Sequence, residues 1–216
     1  MKRDIVFFPE THEYIVDGQA NVPSVTQILK PLTDRGYANI NPSVLETARL
    51  RGSAVHSVLE DLDYDIEPEI VPEIIPYIQA YEEWKSIYRP TWIGIEQITF
   101  CEEGWYIGTL DRIGYLNGSE LAIVDLKTST PCRESYLAVS LQTMAYAMAY
   151  ASEHGFNPDY KDISRYGLFL MKDGKFRLLN CKEFEGTNHY DPVDAFGVLL
   201  NTHKMITEIL ERKGKK

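Results

Sequence analysis

Along this chain the apolar positions alternate, run together or fall at helical spacing, and the changes between these patterns mark the predicted elements. Ile5–Phe8 and Tyr14–Val16 have strand composition, with Pro9-Glu10-Thr11-His12 between them and Asp17-Gly18 as a turn, which predicts an N-terminal β-hairpin. Pro23-Ser24-Val25-Thr26-Gln27 reads as a helix start, with Ser24 as cap and Gln27 three residues later as its capping-box partner. The same device at Pro42-Ser43-Val44-Leu45-Glu46 opens a helix to about Leu62. A third helix spans Pro72 to Tyr88, with Ile75, Ile78, Tyr81 and Ile87 near helical spacing. The pattern changes after Pro90. Trp92–Phe100 and Tyr106–Leu116 have strand composition, and Leu121–Leu126 is nearly continuously apolar, as in a strand buried on both faces. Asn117-Gly118 between the last two is a type I′ hairpin signal. A helix from about Glu134 to His154 follows, then strands at Ile163–Met171 and Phe176–Cys181 turned at Asp173-Gly174, then an amphipathic helix from Pro192 to about Arg212.

This order predicts an α/β (α+β) fold, a mixed central sheet flanked by helices with an N-terminal β-hairpin. With 216 residues and no internal repeat, one domain is expected: hairpin and first helix over 1–42, core over 43–183, C-terminal helix and basic tail over 184–216. A chain of this size buries roughly 70% of its unfolded surface, so it needs no disulfide staples. Cys101, Cys132 and Cys181 are far apart and odd in number, which argues against a zinc ribbon, a disulfide framework and a four-thiolate iron–sulfur cluster. No apolar run reaches membrane-spanning length, so a cytoplasmic location and reduced thiols are expected. The net charge of −10 works against broad attraction to nucleic acid. Basic residues are nonetheless grouped. Arg49 and Arg51 precede His56, Arg112 follows Asp111, and the chain ends Arg212-Lys213-Gly214-Lys215-Lys216, a stretch that also suits a solvated terminus.

The candidate chemistry lies in Gly108-Thr109-Leu110-Asp111-Arg112 and Val124-Asp125-Leu126-Lys127-Thr128. Alternation puts Asp125 and Lys127 on one face of a strand, about 6.6 Å apart. Counting out from Asn117-Gly118, Leu116 faces Ser119 and Asp111 faces Val124, one position short of Asp125; a twist or bulge would bring the two carboxylates together. Two close carboxylates repel unless a proton or cation intervenes, and hard oxygen donors suit Mg²⁺ or Mn²⁺. A lysine beside them can orient or deprotonate a water and stabilise charge developing on phosphorus. A surface hairpin with an Asp–Lys pair and an unrelated aspartate fits these three residues equally. Asp125 and Lys127, however, end an apolar strand, where a buried charge needs a partner or a purpose. Upstream, His56 could complete a coordination sphere, with Glu60 one turn on as its hydrogen-bonding partner; an ordinary His–Glu helix pair is the alternative. Gly52 is costly inside a helix and suggests close approach of a strand or substrate. Gln142 and Tyr146 share a helical face and could contact phosphate or a base edge, or could be a partly buried polar pair.

Taken in order, Gly52-x-x-x-His56, Gly108-x-x-Asp111-Arg112, Asp125-x-Lys127-Thr128 and Gln142-x-x-x-Tyr146 resemble the PD-(D/E)XK nuclease superfamily, in particular its RecB-like branch of phage and mitochondrial genome maintenance exonucleases. Val22-Pro23-Ser24-Val25-Thr26-Gln27-Ile28-Leu29 also looks like the opening segment of phage members. The resemblance implies a restriction-endonuclease-like sheet and a metal site of His56, Asp111, Asp125 and the carbonyl of Leu126. It implies Lys127 as the catalytic lysine, with Gln142 and Tyr146 supporting the site and contacting DNA. Leu110 stands where the family name has proline, and the cysteines of iron–sulfur members are missing. Glu96, on the preceding strand, is a candidate site carboxylate, although a solvent-facing strand residue fits it better. The expected activity is Mg²⁺-dependent hydrolysis of DNA, with Mn²⁺ substituting and an exonuclease favoured, in phage or mobile-element recombination, repair or processing. A DNA-binding subunit with little activity of its own, an endonuclease and an RNA-directed nuclease are the alternatives. A ring-shaped homo-oligomer or a recombination-protein partner would help a small acidic protein stay on DNA.

Overall fold

In the computed structural model, which describes residues 3–8, 13–38, 40–154 and 160–213, a five-stranded sheet separates two helical layers. Strands β1 (Ile5–Phe8) and β2 (Glu13–Val16) form the separate hairpin, followed by α1 (Val25–Tyr37), α2 (Pro42–Asp63) and α3 (Ile75–Tyr88). The sheet then begins with β3 (Thr91–Cys101), β4 (Tyr106–Leu116) and β5 (Glu120–Lys127), crosses by α4 (Arg133–His154), and resumes with β6 (Ser164–Leu170) and β7 (Phe176–Asn180). Helices α5 (Cys181–Asn188) and α6 (Pro192–Lys213) follow. Strand order is β3-β4-β5-β6-β7, with β5 and β6 parallel and every other neighbouring pair antiparallel. The predicted mixed sheet with flanking helices and N-terminal hairpin is what forms. Of the predicted hairpin link, Pro9–His12 lies outside the described residues, as does the end of the basic tail, 214–216.

Ser24 caps α1 with Gln27 in the reciprocal capping box that the sequence predicts. At α2 the expectation needs correcting, because the cap is Asn41, whose side chain accepts from the Ser43 amide, with Pro42 in the first turn. In α3 the inward face is Tyr77, Ala80, Tyr81 and Trp84, whereas Ile75 and Ile87 are exposed. Helix α5 has no counterpart among the predicted elements. Its signal was Asn180-x-x-Glu183: the Asn180 side chain accepts from the Glu183 amide and caps the helix. Arg165 of β6 then holds buried Glu185 of α5 through two hydrogen bonds.

The core has two main halves. Val25 and Ile28 of α1, Met144 and Ala145 of α4, and Phe196 of α6 pack on Leu110, Ile113 and Ile123. Val55 and Leu59 of α2 and Tyr81 and Trp84 of α3 pack on Ala122, Val124 and Leu126 from the opposite face. Strand β5 is therefore buried on both sides, as its apolar run predicts. A third cluster, including Tyr14, Val16 and Ile107, seats the hairpin on the β3–β4 end.

One buried charge network ties the second layer to the sheet. Arg112 of β4 is fully buried; its Nε donates to Asp63 Oδ2 at 2.8 Å, and its Nη1 donates to the Asp111 carbonyl at 2.8 Å and to Glu96 Oε1 at 3.3 Å. Asp63, at the end of α2, also accepts from the Tyr81 hydroxyl at 2.7 Å. Removing one partner of such a network strands the other charge in the interior. Arg112→Ala should therefore cost about 3–5 kcal/mol in urea denaturation. Lys85→Ala, at the partly exposed margin of the same network, should cost less than about 1 kcal/mol. Equal losses would show that Arg112 is not the tie.

Candidate active site

The turn between β4 and β5 decides how the candidate residues meet. Asn117 and Gly118 have φ of +48° and +82°, as a type I′ turn requires, and the Ser119 amide closes on the Leu116 carbonyl at 3.2 Å. The strands, however, resume pairing with Leu116 opposite Glu120 rather than Ser119. Ser119 is one extra residue, and it shifts the register by one. Arg112 faces Val124, so the same register sets Asp111 across from Asp125. The ladder ends there, and the Leu126 amide donates to Asp111 Oδ2 at 2.6 Å. The one-residue shortfall counted from the sequence is thereby removed.

Backbone irregularity opposite Asp111 completes the convergence. Glu96 has φ of +46° within β3, a conformation that costs a non-glycine residue roughly 1–2 kcal/mol. Across from it, side-chain alternation lapses in β4, where Leu110 packs with the α4 layer while Arg112, two residues on, reaches Asp63 of α2. Glu96 is accordingly not a solvent-facing strand residue. Its carboxylate lies 3.5 Å from His56 Nδ1, which is 3.9 Å from Asp111 Oδ1. One donor atom each from His56, Glu96 and Asp111 lies within 4.8 Å of the others. His56 Nε2 sits 3.2 Å from the Leu126 carbonyl, which fixes the ring across the sheet surface. Glu60 lines the same cavity as His56, but the partners of the imidazole are Glu96, Asp111 and the Leu126 carbonyl rather than Glu60.

On the α4 side, Asp125 is fully buried and neither carboxylate oxygen has a hydrogen bond of good geometry. Lys127 Nζ stands 2.5 Å from Asp125 Oδ2 and donates to Gln142 Oε1 at 3.2 Å; Gln142 Nε2 donates in turn to the Tyr146 hydroxyl at 3.0 Å. Burial pushes the Asp125 carboxyl up to about 6, against the pull of the Lys127 ammonium. Burial disfavours the His56 imidazolium, but Asp111 and Glu96 outweigh it and raise the pKa. Arg51 donates to the Thr128 carbonyl at 3.3 Å, next to Lys127, whereas Arg49 pairs with Glu46 on the surface.

The two motif glycines differ in their reasons. A β-carbon on Gly108 would stand 2.5 Å from the Tyr146 ring, so that ring reaches the site only over a residue without a side chain. A β-carbon on Gly52 would make ordinary contact with Thr128 Oγ1 at 3.5 Å. The fold itself does not require Gly52.

These donors fit a hard divalent cation. Carboxylate oxygens of Glu96 and Asp111 converge with the His56 imidazole. The buried Asp125 carboxylate, ion-paired with Lys127, is not in that cluster but feels the charges of Asp111 and His56. Bonds of about 2.1 Å would put opposite ligands about 4.2 Å apart, within the spread of the cluster. Residues 69–184, more than half of the sequence, match the family model for the PD-(D/E)XK nuclease superfamily. The chain belongs to that superfamily. The matched segment contains Glu96, Asp111, Asp125, Lys127, Gln142 and Tyr146, while His56 precedes it. No curated protein matched the chain. The superfamily accounts for a metal-dependent nuclease domain with a restriction-endonuclease-like sheet. Glu96, the residue the sequence reading undervalued, had no signal beyond its place on the strand before Asp111, because nothing in the local sequence announces its positive φ.

Two stability measurements test this geometry. The folded Asp125 carboxyl keeps its proton up to about pH 6, whereas an unfolded aspartate releases it near 4. Its burial therefore costs nothing below about pH 4, lowers stability progressively as pH rises from about 4 to about 6, and exerts its full cost above about 6. Without divalent cations at pH 7.5, Asp125→Asn should stabilise the fold by roughly 1–3 kcal/mol, a gain that disappears at pH 4. Loss of stability at pH 7.5 would refute the buried-charge account. Separately, Gly108→Ala should cost about 1–3 kcal/mol through overpacking on Tyr146, while Gly52→Ala should gain up to about 1 kcal/mol by helix propensity.

Proposed function

We propose that this chain is one nuclease domain acting as a Mg²⁺-dependent DNA exonuclease of the RecB-like kind, with Mn²⁺ able to substitute, in phage or mobile-element DNA recombination, repair or processing. The observation that carries the reading is the converging His56–Glu96–Asp111 cluster beside the fully buried carboxylate of Asp125, which is ion-paired with Lys127 but has no hydrogen bond of good geometry to either oxygen. A buried carboxylate that is paired with a lysine but lacks well-formed hydrogen bonds is under-satisfied, and a divalent cation would complete its coordination.

Asp111, Asp125 and His56 would hold the cation with the Leu126 carbonyl, and Glu96 joins them on the His56 side. A divalent ion bound there supplies Lewis-acid polarisation of the phosphate and a more acidic water. Asp111, held by the Leu126 amide, keeps its carboxylate oriented without reorganisation. The partners of Lys127 in this arrangement include Asp125 and Gln142. With Asp125 engaged by a cation, Gln142 would retain the Lys127 ammonium at the strand end. There Lys127 orients the attacking water and stabilises charge on the phosphate oxygens. The Tyr146 hydroxyl accepts from the Gln142 amide and braces it, and burial holds the phenol neutral. The imidazole among the ligands favours Mn²⁺ over Mg²⁺ in affinity.

The test is digestion of linear, nicked and closed circular DNA, and of matched RNA, with Mg²⁺ or Mn²⁺. Linear DNA should be degraded from an end and closed circles spared, with activity falling at least about a hundredfold in Asp125→Ala and Lys127→Ala. Cutting of closed circles would make it an endonuclease. Binding without cleavage under either ion would make it a DNA-binding subunit.

A further inference from the structure

Helix α6 is anchored by one face and bare on the other. Phe196 and Leu200 are buried in the core against α1 and α4, and Lys204 Nζ donates to the Gly104 carbonyl of the β3–β4 turn at 2.7 Å. The outer face carries Val198, Thr202, Met205 and Ile209, spaced four, three and four residues apart. Met205 lies nine residues after Phe196, and Ile209 nine after Leu200, which is about two and a half turns, so the members of each pair are on opposite sides of the helix. Val198 is 66% exposed, Met205 57% and Ile209 47%, with Ile206 beside them at 49%. Thr202 is exposed as well. A repeat of about 3.5 residues is the seam by which one helix packs along another. A helix that packs only on its own domain needs one apolar stripe, and α6 has two.

The outer seam is complementary to itself. Reversed about the midpoint between His203 and Lys204, it puts Val198 opposite Ile209 and Thr202 opposite Met205. Two copies related by a two-fold axis therefore meet with matching positions along the whole seam. Thr202 fits such a contact, because its hydroxyl already donates to the Val198 carbonyl at 2.8 Å and burial strands no donor. Charge selects the same direction. Asp191 and Asp194 stand at the start of α6, and the sequence closes the helix with Arg212-Lys213. Antiparallel copies set each acidic end beside a basic end, and each helix N-terminus beside its partner's C-terminus. Parallel copies would set like charge against like.

We propose that the outer face of α6 is the contact between two copies of this chain, paired antiparallel about a two-fold axis beside His203 and Lys204. An isologous contact of this kind closes at two copies, unlike the head-to-tail contact that a ring needs. One helical seam is small among specific interfaces, so the dimer should form at roughly micromolar concentration. The candidate cation ligands come from α2, β3, β4 and β5, so pairing through α6 leaves each copy its own set.

Sedimentation equilibrium of the unmutated full chain, from about 1 μM to about 500 μM, is the test. The mass should rise from one copy to two and no further. Ile209→Lys places a charge opposite Val198 and should weaken the dimer at least about thirtyfold. Residue 209 is exposed, so that variant should keep the circular dichroism and thermal midpoint of the parent monomer. Asp194→Lys should weaken the dimer about threefold at low salt and leave it unchanged at high salt. In a parallel pair that substitution exchanges one like-charge contact for another, so unaltered low-salt affinity would overturn the antiparallel arrangement. A chain monomeric over the whole range would overturn the contact, and so would a dimer indifferent to Ile209→Lys or assembly beyond two copies. A monomer that instead cosediments with phosphatidylglycerol vesicles would make the face a membrane surface and overturn the dimer.

Discussion

The burial of one carboxylate governs this structure. Asp125 stands in the middle layer of the molecule, on a strand packed from both faces, with a lysine against one oxygen and no hydrogen bond of good geometry to either. Leaving a charge there is expensive, and the rise of its pKa to about 6 records that cost. An interior built only for stability would carry an apolar residue at this position or a fully bonded pair. With histidine, glutamate and aspartate nearby, a divalent cation would offset both that cost and the repulsion among the carboxylates.

The rest of the fold can be understood as what delivers those groups to one place. His56 comes from α2, Glu96 from β3, Asp111 from β4, and Asp125 with Lys127 from β5. Arg112 couples three of these elements by bonding Asp63 at the end of α2, Glu96 of β3 and its own neighbour's carbonyl on β4. Through Glu96 it touches a candidate ligand directly, and it constrains the helix and the strand that supply ligands. Gly108 serves the opposite layer, leaving room for Tyr146 to lie against the strand and brace Gln142.

Much of the fold was legible in the sequence because it depends on local chemistry. The capping box at Ser24, the apolar run of β5 and the Asn117-Gly118 turn each correspond to an observed feature. What escaped were long-range consequences of single residues. Ser119 adds one position after a correctly identified turn and so places Asp111 across from Asp125, a shift that pattern alone could not settle. The positive φ of Glu96 and the lapse of alternation at Asp111 are fixed by tertiary contacts with Arg112 and His56, so strand periodicity assigned Glu96 to solvent. Helix α5 is short, and its buried Glu185 makes sense only once Arg165 is known to lie beside it. The order of the four motifs, by contrast, needed no structure.

The cation reading assigns a purpose to the strained backbone at Glu96, to the burial of Asp125 and to the position of Lys127 between Asp125 and Gln142. The most direct test is a crystal structure of the unmutated protein soaked in Mn²⁺, with anomalous difference density calculated at the manganese edge. The account predicts a strong peak within about 2.0–2.3 Å of oxygens from Asp111 and Asp125, joined by His56 or Glu96, with the Lys127 ammonium drawn away from Asp125 toward Gln142. A site without anomalous density at saturating Mn²⁺, with Lys127 still closed on Asp125, would contradict it.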